Sequence, residues 1–124
     1  MNMTGTWTGH CWYASIREFV LENELNMTLD EQAAGRVSGV VTETCRVIKV
    51  TGEVQTQTTE FHVAGQVDPQ TGILQLAGRN NAPHTGAMLR CVLTLQSEGE
   101  NKLAGTFADP DEQEDVQQAE FCRA

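Results

Sequence analysis

The sequence predicts an all-β fold: one antiparallel up-and-down meander barrel of about eight strands, with one short helix. Three observations carry this prediction. First, an apolar-x-Gly motif recurs with its glycines 13 residues apart, at Val37-Ser38-Gly39, Val50-Thr51-Gly52, Val63-Ala64-Gly65 and Leu76-Ala77-Gly78. It returns out of step at Leu103-Ala104-Gly105. That interval matches one strand plus one turn and is too short for a helical hairpin. Second, apolar and polar residues alternate: Phe61, Val63, Gly65 and Val67 interleave with His62, Ala64 and Gln66, and Leu89, Cys91, Leu93 and Leu95 with Arg90, Val92, Thr94 and Gln96. Period two is the mark of a half-buried strand. Third, turn-forming runs separate these segments: Asp68-Pro69-Gln70-Thr71-Gly72, Asn80-Asn81-Ala82-Pro83 and Glu98-Gly99-Glu100-Asn101.

Taken in order, strands are expected near residues 5–13, 25–30, 36–43, 45–54, 58–67, 73–79, 87–97, 102–108 and 117–123, with one or two of these merging. Between the first two, Ser15 to Glu22 breaks the alternation. Ile16, Phe19 and Val20 would share one helical face, with Ser15 as N-cap and Glu18 at the third helical position. Such a helix would cover one barrel mouth; a long irregular strand pair is the alternative. The recurring glycines Gly39, Gly52, Gly65, Gly78 and Gly105 are given a structural role. Within strands they permit coiling and close backbone approach where a sheet curls into a barrel. Evenly spaced turn glycines are the other reading. Sequential strands with short turns form a meander, and closing it removes the exposed edges.

At 124 residues the chain suits one domain, 1–124, around one core. A hydrophobic fraction of 40% and a charged fraction of 20% are those of a folded chain. The net charge of −9, with Lys49 and Lys102 as the lysines, argues against nucleic acid as a partner. No apolar run approaches the roughly 20 residues of a membrane span. The chain as written has no basic segment leading into an apolar stretch, so it reads as cytoplasmic, or as secreted or periplasmic if a leader has been removed. Cys11, Cys45, Cys91 and Cys122 are widely spaced, with no C-x-x-C. Free thiols and disulfides both stay open, with three full pairings.

Gly5-Thr6-Trp7 on the first strand resembles the Gly-x-Trp opening of lipocalin-like barrels, the calycin group that includes lipocalins, fatty-acid-binding proteins and avidins. In that group the tryptophan often packs against an arginine near the end of the last strand, and Phe121-Cys122-Arg123 supplies one. The resemblance implies a structural pairing of Trp7 with Arg123. It covers about nine residues at the start and three at the end. The lipocalin Thr-Asp-Tyr motif is absent. Haem barrels of the nitrobindin kind open Gly-x-Trp-x-Gly-x-Gly-x-Tyr-Pro; here Cys11 stands at a glycine position and Ala14 at the proline. The resemblance implies the fold and transfers no ligand, and no cofactor is expected.

With Trp7 inward, strand parity sets Gly9, Cys11 and Tyr13 inward and His10 and Trp12 outward. Phe61, Val63, Leu74, Leu76, Leu89, Cys91, Leu93, Leu95, Leu103, Phe107 and Phe121 complete the expected interior. Side chains can fill such a barrel, or leave room for one small ligand. A ligand site needs a few placed polar groups on apolar walls. The candidates are Trp7, Tyr13, Arg17, Phe61, Arg79, His84 and Phe107, with Asn80 beside Arg79 at a mouth loop. His10, His62 and His84 form no metal-binding pattern. The acids Asp109, Asp111, Glu112, Glu114 and Asp115 lack a calcium loop's glycine, so they read as a solvated loop or a docking patch. No nucleophile elbow, P-loop or dinucleotide motif is present, and no catalytic residue is assigned.

The functional expectation is therefore non-enzymatic binding of a small apolar or amphipathic ligand inside the barrel. The first alternative is a packed barrel that binds or inhibits a protein partner through its surface, around Trp12, Met88 and the acidic loop. The second is a small barrel enzyme. Outward Trp12 and Val92 would also allow a homodimer through the barrel walls.

Overall fold

The structure, a computed structural model, describes residues 2–13, 23–80, 88–112 and 115–124. Eight strands run in chain order: β1 (Gly5–Trp12), β2 (Asn23–Glu31), β3 (Arg36–Ile48), β4 (Val54–Val67), β5 (Ile73–Asn80), β6 (Arg90–Ser97), β7 (Lys102–Ala108) and β8 (Val116–Arg123). Each pairs antiparallel with the next, and β1 pairs with β8, so the sheet is a closed up-and-down barrel. One 3-10 turn, Ala33–Gly35, joins β2 to β3. The expected helix at 15–22 lies outside the described residues. Among the described residues no helix is long and apolar enough to cross a membrane.

Alternation decides the inside. Leu25, Met27 and Leu29 on β2 are buried while Glu24, Asn26 and Thr28 between them are exposed, and β5, β6 and β8 repeat the pattern. Register carries the pattern from strand to strand: Trp7 lies opposite Met27 on one side and Arg123 on the other, and Leu76 lies opposite Gly65 and Leu93. The resulting core joins Met3, Trp7, Met27, Val41, Leu74, Leu93, Leu103 and Phe121 with their neighbours in one cluster. Fully burying each large side chain contributes about 1.5–3 kcal/mol.

Nine expected strands become eight because 36–43 and 45–54 are mostly one strand. β3 runs unbroken through Thr44 to Ile48, and the chain reverses at 49–53. There the Gly52 amide donates to the Lys49 carbonyl at 2.8 Å, with Gly52 at φ +86°. Gly52 is therefore a turn residue with open space around it, unlike Gly39, Gly65, Gly78 and Gly105 inside strands. At Gly65 a Cβ would lie 1.7 Å from the Gln75 carbonyl oxygen, and at Gly78 1.9 Å from that of His62. No side chain fits where neighbouring backbones cross so closely. Gly9, outside the 13-residue series, is packed the same way against Glu120.

The interior differs from expectation at one apolar position. Leu89 is 41% exposed. It precedes β6, in the connection from β5, where its amide donates to Asn80 Oδ1 and its carbonyl accepts from the Asn80 amide. Met3, Leu25, Met27, Leu29, Val37, Val41 and Ala119 join the core beyond the expected set.

Candidate functional site

The two ends of the barrel are chemically unlike. At the end where β1 begins and β8 stops, the interior is sealed. Trp7 is fully buried, and its indole Nε1 donates to the Met3 carbonyl at 3.0 Å. The Arg123 guanidinium lies 4.2 Å from the indole ring centre. It also donates to the carbonyls of Thr4 and Asn2 at 2.8 Å each and of Glu100 at 3.3 Å. The Met3 amide donates to Glu31, and the Glu31 amide donates to the Thr4 hydroxyl. One cation thus ties the N-terminal segment and the β6–β7 turn to β8 over an aromatic plug, with four hydrogen bonds from its five N–H groups.

The opposite end collects the connections after β1, β3, β5 and β7. Its interior positions are polar. On β3, parity carries inward from Val37, Gly39 and Val41 to Glu43 and Cys45. Glu43 Oε2 accepts from Asn23 Nδ2 at 3.1 Å and from the Cys11 thiol at 3.6 Å, linking β1, β2 and β3 across the interior. Tyr13 donates its hydroxyl to the Asp115 carboxylate. Below this ring, Phe61 and Phe107 meet edge to face with centroids 5.9 Å apart. Both are buried in the core just inside this end.

Gln117 completes the ring. It pairs with Phe107 across β7 and β8 and alternates with buried Ala119, so its side chain faces inward. It is only 6% exposed, yet no hydrogen bond reaches its amide among the described residues. No described buried side-chain atom is both sealed and unpartnered, so the Gln117 amide keeps a little accessible surface. An amide in that position is set to pair with something that enters.

The thiols feel the same surroundings. All four cysteines are free. Burial first, then the Glu43 carboxylate, pushes the Cys91 thiol up to about 12 and moves Cys11 and Cys45 upward as well. For Tyr13, burial and then its bond to Asp115 raise the phenol. These groups are held neutral, the reverse of what a nucleophilic thiolate requires.

Of the expected ligand residues, the structure packs Phe61 against Phe107 and places Tyr13, bound to Asp115, toward the same end of the barrel. Trp7 sits at the sealed end, locked by Met3 and Arg123. Arg79 lies on the outer wall, in a groove shared with His62, Arg90 and Val92. Arg17 and His84 lie outside the described residues. Of the other histidines, His10 and His62 are on outer-wall positions, as parity requires. Within the acidic loop, Asp111 takes two hydrogen bonds from Arg90, at 2.6 and 3.0 Å, and Asp109 Oδ1 accepts the Asp111 amide. Those carboxylates are already engaged, and no cluster of three or more metal-ligating side chains that could hold an ion occurs among the described residues.

Sequence reasoning missed Asn23, Glu43, Cys45, Asp115 and Gln117. The signal was available for three of them. Parity run upward from Val41 reaches Glu43 and Cys45, and parity run back from Phe121 reaches Gln117.

The fold and this end define a closed eight-stranded antiparallel barrel with one plugged and one polar-rimmed end. Comparison with protein-family models, curated proteins and solved structures finds no match.

Proposed function

We propose that the chain is a non-enzymatic binding protein of the calycin type, holding a small amphipathic ligand at the open end of the barrel. The observation that carries this reading is Gln117: an inward amide, almost buried, without a hydrogen-bond partner among the described residues, beside the packed rings of Phe61 and Phe107. Concave sites pair mostly apolar walls with a few placed polar groups. Trp7 and Arg123 serve as the structural plug at the other end, as the Gly-x-Trp resemblance implies. The raised thiols and the engaged acids argue for binding over catalysis.

Native mass spectrometry of freshly purified protein, beside its denatured spectrum, tests the reading. The expected result is a reproducible extra mass that vanishes on denaturation and is missing from a folded Gln117→Leu variant, in which a branched apolar side chain replaces the free amide. An extra mass retained in full by that variant places the ligand elsewhere and overturns the proposal. So does a bare chain whose Phe61, Phe107 and Gln117 NMR signals ignore added eight-carbon amphiphiles.

A second reading is supported by the β3–β4 hairpin. Register with β2 ends at Thr44 and register with β5 at Phe61, so the hairpin tip stands beyond the barrel wall. Its Val50 and Val54 are exposed, Val50 completely. Apolar side chains on a projecting ribbon suit contact with a protein partner.

A further inference from the structure

We infer that the outer wall of β4, β5 and β6 carries a second site, for a small organic oxyanion: a carboxylate or phosphate head on the row His62, Arg79 and Arg90, with a short apolar stem on Ala77 and Val92. This site is separate from the barrel interior and goes beyond the binding reading above.

Register builds the site. His62 on β4 lies opposite Arg79 on β5, and Arg79 lies opposite Arg90 on β6. All three are exposed. Two residues along the strands, roughly 7 Å away, comes a small apolar row: Ala64 opposite Ala77, and Ala77 opposite Val92. A groove of about 400 Å³ lies over the charged row, Ala77 and Val92, with Pro110 as a wall.

The charge of this row runs against the rest of the chain. Like charges directly opposite on neighbouring strands destabilise a sheet, yet a chain of net charge −9 sets two arginines face to face. The flanking cations have acids beside them. Asp111 accepts from Arg90 Nε and Nη2 at 3.0 and 2.6 Å, and Glu60 lies 3.3 Å from His62. The fork to Asp111 leaves three N–H groups of Arg90 for a ligand. Arg79, between them, pairs with no described acid. The connection beside this row, 81–87, contains no acid. Glu18 and Glu22 belong to the connection between β1 and β2, strands on the far side of the closed barrel. Glu114 follows Asp111 in the β7–β8 connection, and a variant tests it. Two neighbouring guanidiniums offer planar donor pairs that match the oxygens of a carboxylate or phosphate. Ala77 and Val92 then take the stem by apolar contact.

The opposite wall has the reverse sign. There His10 lies opposite Glu24 and Glu120, and the groove of about 330 Å³ that they line holds acids in place of arginines. Charge disfavours an oxyanion in it. The groove of about 590 Å³ at the sealed end is lined by Glu31 and Asp68 with no cation, and both acids already accept backbone amides, of Met3 and Gln70.

Benzoate, phenyl phosphate and neutral benzyl alcohol, titrated into 15N,13C-labelled protein and followed by NMR, test the site. Both anions are expected to shift the backbone amides of Arg79, Arg90 and Val92, and each to bind at least about fivefold tighter than benzyl alcohol. Whichever anion binds tighter names the head group and supports the site. Arg79→Gln, a change at an exposed position, is expected to abolish the preference for anions, while the urea midpoint of the ligand-free variant stays the same or rises as the like-charge pair is removed. Equal binding of benzyl alcohol overturns the proposal, as do anion shifts centred on Lys102 or Arg123, or no shift at about 20 mM ligand. Glu114→Gln is expected to leave benzoate binding unchanged. A gain of about fivefold or more in that variant would show that Glu114 already answers Arg79, and the proposal falls. The signals of Phe61, Phe107 and Gln117 report the interior separately, so the two readings fail independently.

Discussion

At the scale of single residues, the chemistry turns on which side chains strand parity turns inward. Glu43 is the clearest case. It closes the expected strand 36–43 in the same parity as Val41, and the unbroken β3 places it inside, against Cys11 and Asn23. Its effect on the thiols gives a prediction. An unfolded thiol ionises near its ordinary value of 9, whereas folded Cys91 holds its proton up to about 12, chiefly through burial and then through Glu43. Between those values the unfolded chain binds fewer protons than the folded one, so stability falls as pH rises. The contribution is whole below pH 9 and is lost toward pH 12. Urea midpoints at about pH 8 and about pH 10.5 are expected to drop for the native chain and to drop less for Cys91→Ala. Equal drops would show that the thiol does not control this window. The inward placement of Phe61 and Phe107, and the position of Tyr13 at the end of β1, were legible because they sit in alternating runs or beside one. Asn23 and Asp115 were not, since each stands at an element's end, where a partner across the barrel decides its orientation.

At the scale of elements, the glycine rhythm describes two different physical needs under one spacing. Gly65 and Gly78 allow adjacent backbones to approach more closely than any Cβ tolerates. Gly52 supplies a positive φ in a turn and touches nothing. Spacing alone merges the two, which is why the β3–β4 turn was read as strand and one strand was counted twice. The distinction is measurable. Gly65→Ala is expected to cost about 2 kcal/mol or more, because carbonyl backbone must shift to admit the methyl. Gly52→Ala is expected to cost about 1 kcal/mol, the strain of a left-handed alanine. Chemical denaturation of both variants checks the order, and a larger loss at Gly52 would reject this account of the repeat. Most of the strands were legible because alternation is strict wherever one face is buried and the other wet. The N-terminal half of β4 was not: Val54 to Thr58 is exposed on both faces, so burial imposed no pattern there.

At the scale of the whole molecule, stability depends on closure. β1 and β8 come from opposite ends of the sequence and share six register pairs, from Trp7 with Arg123 to Trp12 with Gln118. Without that seam the sheet has two raw edges and loses Phe121 and Ala119 from the core. A chain ending at residue 115 is therefore expected to lose its cooperative unfolding transition and to associate. Calorimetry with size-exclusion chromatography checks this, and a monomer that still melts cooperatively would show that the remaining seven strands suffice. The all-β barrel was legible in the sequence as a whole. Which end would be plugged was foreshadowed by Trp7 and Arg123, but the polarity of the other end was not, because it arises only when four strands bring their last inward positions to one level.

Asn2 and Arg123 meet on the plugged face, bound to one another through the guanidinium. The barrel is thus held by its base. A tether fixed at either end pulls on the foot and leaves the rim facing away. Anchored to a sensor surface through either end, the molecule would turn its β3–β4 hairpin away from that surface, and neighbouring copies on such tethers would all point in the same direction.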